Sequence, residues 1–150
     1  MTTALLDALQ DELNAVEDFS QVLAQEEAAL IDGNLMAILP AIVERKTELT
    51  EKLTAFGKQR EAALAELGLP ANRDGMSSVI NKDQALADTW KRLLTQAERA
   101  RARNVTNGLL IKTRMDYNHQ ALIALRLAAG VPAIYGPDGR LPMSMPVTGR

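Results

Sequence analysis

The sequence predicts an all-α protein, an elongated antiparallel bundle of three long, coiled-coil-like helices with an irregular C-terminal tail. Three observations predict it. The apolar fraction is 47% with only 3% aromatic residues, and the leucine and alanine that dominate it are strong helix formers. Apolar residues recur at alternating spacings of three and four along most of the chain, as in a helical seam. The β-branched residues never form the alternating runs that strands require.

Thr2 or Thr3 is placed to cap the first helix, whose apolar positions are Leu6, Leu9, Leu13, Val16, Leu23 and Leu30. Asp32-Gly33-Asn34 breaks it: Gly33 can take a positive φ, and Asn34 can cap the next helix. The second seam runs Leu35, Leu39, Ile42, Lys46, Leu49, Leu53, Phe56, Arg60, Ala63, Leu67. Pro40 must either start the regular helix in its first turn or kink it. Gly68-Leu69-Pro70 is a helix stop, a glycine for the left-handed position followed by a proline. Residues 71–80 read as a loop, and Asn81 with Gln84 resembles a capping box.

The third seam is Leu86, Trp90, Leu93, Ala97, Ala100, Asn104, Gly108, Ile111, Met115, Asn118, Leu122, Leu125, ending at Gly130-Val131-Pro132. It passes Gly108 with no proline or capping cluster, so a continuous helix is expected; a break at Asn107-Gly108 would instead give four helices. The domain organisation is a helical domain over 1–132 and an irregular tail over 133–150. At about 1.5 Å per residue the three helices span roughly 45, 50 and 70 Å. The third, running back along the second, should pass the turn at Gly33 near Met115. Beyond that point the first two helices cannot cover it, yet the sequence stays apolar at Leu122, Ile123, Leu125 and Leu127. An uncovered apolar stripe marks a binding surface, a dimer contact or a dock for the chain's own tail.

Composition narrows the function classes. With 17 basic and 19 acidic residues, the charge balance argues against a nucleic-acid binder. The absence of cysteine excludes thiol catalysis, disulfide scaffolds and zinc fingers. No signal peptide is evident and no apolar run approaches the roughly 18 residues of a membrane span, so a cytoplasmic location is expected. His119 and Asp116 form one i, i+3 pair, whereas a di-metal bundle needs two such motifs and further inward carboxylates. They read as a solvated polar face, with no metal or cofactor expected. No nucleophile elbow or phosphate loop appears, so no enzyme is expected. The basic run Lys91, Arg92, Arg99, Arg101, Arg103 reads as a solvated face. Lys46 and Arg60, at seam positions, are expected to lay their stems on apolar surface with their heads in water. Asn104 and Asn118 are expected to set register.

The chain resembles the FlgN family of flagellar type III export chaperones. The resemblance is carried by Leu5, Leu6, Leu9 and Glu12, then Glu26-Glu27, Leu30 to Asp32, Leu35, Leu39, Ile42 and Lys46. Leu49, Leu53, Gln59-Arg60, Gly68-Leu69-Pro70, Leu86, Trp90 and Leu93-Leu94 continue it. The most specific parts are Asn104-Val105-Thr106-Asn107-Gly108 with Ile111, and the closing Tyr135-Gly136-Pro137-Asp138-Gly139. It implies a cytoplasmic chaperone domain that binds hook-associated proteins, prevents their early assembly and delivers them to the membrane export gate and its ATPase complex. It also implies that the client binds the C-terminal part, where the geometry places the uncovered stripe. The partner-binding candidates are Ile111, Met115, Leu122, Ile123 and Leu125, with Tyr135 as a tail residue able to fold back over them. The alternative is a homo-oligomeric coiled-coil scaffold, such as a homodimer, whose stripes pair with each other.

Overall fold

The computed structural model describes residues 2–128; the expected tail over 133–150, Tyr135 and the boundary at 132 lie outside them. Among the described residues the protein is all helical: α1 Thr3–Asp32, α2 Leu35–Glu66, α3 Arg73–Ile80 and α4 Gln84–Ala128. The chain divides into two compact units, Met1–Asn107 and Gly108–Arg150.

In the first unit α1 and α2 form an antiparallel hairpin. Gly33 closes it at φ 78°, its N–H donating to the carbonyl of Ala29 at 3.0 Å while Asn34 N–H reaches the same oxygen at 3.2 Å. α2 ends in the expected glycine stop. Gly68, at φ 73°, donates to Ala65 O, and Leu69 donates to Leu64 O, both at 3.0 Å. These paired bonds satisfy the last carbonyls of the helix. Pro40 is accommodated inside α2 rather than at its start.

The segment expected as a loop over 71–80 is instead the short helix α3. Its start is set by Asn72, whose side chain accepts from Gly75 N–H at 3.1 Å, with Asp74 in the positive first turn. Gly75 is required by a close approach: a Cβ there would stand 1.9 Å from the carbonyl oxygen of Pro70. Met76 and Val79 turn inward, an i, i+3 pair too short to stand out as a periodic pattern. The cap of α4 also differs from expectation. Asp83, not Asn81, accepts from Ala85 N–H at 3.0 Å and Leu86 N–H at 3.3 Å. Thr2 makes no side-chain cap bond to α1 and donates its hydroxyl to Asp83 at 3.2 Å.

The main core joins Leu5, Leu9, Leu13, Val16 and Leu23 of α1 to Ala63 and Leu64 of α2, Met76 and Val79 of α3, and Leu86, Leu93 and Ala100 of α4. A second cluster, Val22, Ile42 and Leu49, lies nearer the Gly33 turn. α4 is one helix through Gly108, as expected, and a Cβ at Gly108 would meet nothing within 4 Å.

Candidate functional site

Three polar side chains of the seam, Lys46, Arg60 and Asn104, are held by contacts within the fold. Lys46 Nζ, expected in water, donates to Glu26 at 2.9 Å and to Asn104 Oδ1 at 2.8 Å. Glu26 is only 2% exposed, so the ammonium is drawn inward by a carboxylate that has lost its water. Arg60 likewise donates to both oxygens of Glu12 at 3.0 Å and lies 5.2 Å from the Trp90 ring centroid. Burial pushes the Glu12 carboxyl up from its ordinary value, Arg60 opposes the rise, and nearby Glu61 adds to it. The two ion pairs are two heptads apart on both α1 and α2, and their α4 partners, Trp90 and Asn104, are two heptads apart as well. Asn107, 2% exposed, donates to Leu23 O at 3.0 Å. It is the buried asparagine of α4, whereas the sequence seam pointed to Asn104. Among the described residues no buried side-chain nitrogen or oxygen lacks a partner.

After Asn107 the helix changes character. None of the described residues 108–128 is buried. Leu109, Leu110, Met115, Tyr117, Leu122, Leu125 and Leu127 are exposed, Met115 by 42%, Leu122 by 45% and Leu125 by 68%. Ile111 and Ile123 are half-buried. At about 100° per residue, Ile111, Met115, Asn118, Leu122 and Leu125 share one stripe within about 40° of its centre. Ile123 sits about 100° away from Leu122, toward the opposite face that carries Leu109 and Leu127. Four of the expected binding residues therefore form one face and Ile123 belongs to another; Tyr135 lies outside the described residues. Soluble proteins leave single apolar side chains exposed routinely; here Met115, Leu122 and Leu125 are exposed together on one helix face.

Among the described residues no group of three or more His, Cys, Asp or Glu side chains could hold a metal, and no helix is long and apolar enough to cross a membrane. A cleft of about 230 Å³ beside Trp90, bounded by Arg60, Leu64, Met76 and Leu94, is smaller than ordinary small-molecule sites. Arginine and tryptophan there are engaged with Glu12 and each other, which is packing rather than chemistry.

Among the described residues the chain is all helical, and its apolar seam continues, exposed, along the last described helix. The chain belongs to the FlgN family: residues 1–142 match the family described as FlgN protein. It is 31% identical over 132 residues to the flagella synthesis protein FlgN of Yersinia enterocolitica serotype O:8, covering 87% of this chain and 84% of that protein. It is 27% identical over 143 residues to the protein of the same name from Salmonella typhimurium, covering 95% and 93%. No solved structure matches the chain.

Proposed function

We propose that the protein is a cytoplasmic flagellar type III export chaperone. It binds hook-associated proteins, which join hook to filament, keeps them from assembling early and delivers them to the export gate and its ATPase complex. The carrying observation is the exposed stripe Ile111, Met115, Leu122, Leu125 on α4 in a chain of the FlgN family. Its relatives are named for flagella synthesis. The action is binding rather than catalysis. A client segment whose apolar face would pack in the assembled filament lies on the stripe instead, in the manner of a helix in a groove.

Burying one aliphatic side chain contributes about 1.5–3 kcal/mol, so removing two should weaken a client at least tenfold. The test compares the wild type with Leu122→Asp/Leu125→Asp and with Leu122→Ala/Leu125→Ala, which keeps helix propensity. Hook-associated proteins of the source cell are titrated by calorimetry. Loss of one-to-one client binding with an unchanged melting temperature supports the reading. A collapsed melting temperature with normal binding by the remaining folded protein makes the stripe core and overturns it. A tight oligomer that persists on dilution and is abolished by the same substitutions makes the protein a self-pairing scaffold.

A further inference from the structure

Helix α1 carries no lysine or arginine, and it answers cations on the other helices with carboxylates. Glu12 takes Arg60, Glu17 takes Arg92 and Glu26 takes Lys46. Arg99 and Arg103 of α4 break this pattern. With Ser20 of α1 and Gln96 they line a groove of about 370 Å³ that also reaches Ala100, 8% exposed. Both arginines are exposed, and among the described residues neither bonds a carboxylate. The nearby acids are already taken, Glu17 by Arg92 at 3.0 Å and Glu98 by Arg101 at 3.6 Å. Between Glu17 and Glu26, α1 has one acid, Asp18, turned about 160° around the helix from Ser20. The groove therefore has two cations on one bank and a hydroxyl on the other, where α1 elsewhere supplies a carboxylate.

Spacing and surroundings limit what fits there. Arg99 and Arg103 are four residues apart, about 6 Å along α4, which matches acidic side chains four residues apart on another helix. A guanidinium fork binds a carboxylate more strongly than a neutral acceptor and with fixed geometry. An extended polyanion is a poor match. Asp11 and Asp18 are exposed on α1 with no cation on that helix to offset them, so a nucleic acid or an anionic bilayer laid over the groove would meet like charge. The rest of this chain is a poor source too, since residues 129–150 hold one acidic side chain, Asp138, against Arg140 and Arg150.

We propose that the groove at Arg99 and Arg103 docks a short acidic segment of a partner protein, a helix with glutamate or aspartate side chains four residues apart. Its carboxylates fill the place that α1 leaves open, one on each guanidinium, with the Ser20 hydroxyl as a further donor. The site uses none of the stripe residues and stands whether or not the stripe binds a client.

Two helical peptides test it on the full-length protein, one with glutamate pairs at four-residue spacing and the other with lysine pairs. Heteronuclear NMR titration should show Ser20, Gln96, Arg99 and Arg103 shifting with the glutamate peptide. The lysine peptide should bind roughly tenfold or more weakly at low salt, and added salt should close the gap. Arg99→Gln/Arg103→Gln should weaken the glutamate peptide by a similar factor with an unchanged melting temperature, and Arg99→Glu/Arg103→Glu should transfer the preference to the lysine peptide. Ser20→Glu restores the missing carboxylate to α1, so it should occupy the arginines and block the peptide, whereas the uncharged Ser20→Gln should leave binding intact. Equal binding of the two peptides, binding that survives Arg99→Gln/Arg103→Gln, or failure of both peptides to bind overturns the proposal. So does a DNA duplex that binds through the same arginines more tightly than the glutamate peptide. Self-association abolished by Arg99→Gln/Arg103→Gln in analytical ultracentrifugation makes the groove a contact between copies and overturns it as well.

Discussion

Glu26 and Lys46 decide how this seam tolerates charge. The carboxylate is 2% exposed and the ammonium bonds it at 2.9 Å, so each charge is tolerable only while the other is present. Removing one partner of a buried pair costs about 3–5 kcal/mol, while replacing both with apolar residues of similar volume is often neutral or stabilising. Lys46→Met should therefore destabilise strongly, and Glu26→Met/Lys46→Met should recover most of the loss in denaturant unfolding. A double variant as unstable as the single would show that Asn104, left without its donor, matters as much as the carboxylate. Glu12 permits a signed prediction. Its folded-state value is raised by burial, so the folded protein holds the proton more tightly than the unfolded chain. That contribution is present below the ordinary glutamate value and is lost as pH rises through the raised one. Wild type should lose stability relative to Glu12→Gln as pH rises through this window, then run parallel to it. A slope of the opposite sign would mean that Arg60 outweighs the burial.

At the scale of the elements, glycines separate two kinds of demand. A Cβ at Gly108 meets nothing within 4 Å and the residue has no positive φ, so Gly108→Ala should stabilise α4 by up to about 1 kcal/mol. At Gly75 the Cβ would stand 1.9 Å from Pro70 O, so Gly75→Ala must displace α3 or the turn before it, costing about 1–3 kcal/mol or more. Thermal melts of the two variants should move in opposite directions. These positions also show what was legible in the sequence. The 4-3 spacing located α1, α2 and α4, and nearly every seam residue of α2 is buried or half-buried, from Leu35 to Leu67. Helix α3 was not legible, because eight residues with two inward apolar side chains carry no period, and Asn72 reads equally as turn or cap. The burial of Glu26 was hidden for a different reason. Its partner is twenty residues away, and nothing local distinguishes it from Glu27, which is exposed. The stripe was legible as apolar heptads, but Ile123 was misgrouped by counting hydrophobicity without following the turn of the helix.

Across the described residues, burial is confined to one stretch of chain. Every buried residue of the described structure lies in the unit ending at Asn107, and the described residues from Gly108 onward contribute none. The same helix therefore carries two kinds of leucine. Leu93 is 3% exposed in the main core, whereas Leu122 is 45% exposed. Leu93→Ala should cost about 2–5 kcal/mol, lowering the melting temperature by roughly 5–15 °C. Leu122→Ala removes the same atoms from a surface that water already reaches, so its melting temperature should hardly move. Amide exchange supplies a check that needs no substitution. A helix without tertiary burial is held by backbone bonds alone and opens readily. Amides of 86–107 should thus exchange near the rate of global unfolding, and those of 110–128 much faster. Adding a client helix should slow exchange in the second set while leaving the first unchanged. Uniform slow exchange through residue 128 in the free protein would mean that the stripe is already covered, and Leu122→Ala would then lower the melting temperature as Leu93→Ala does.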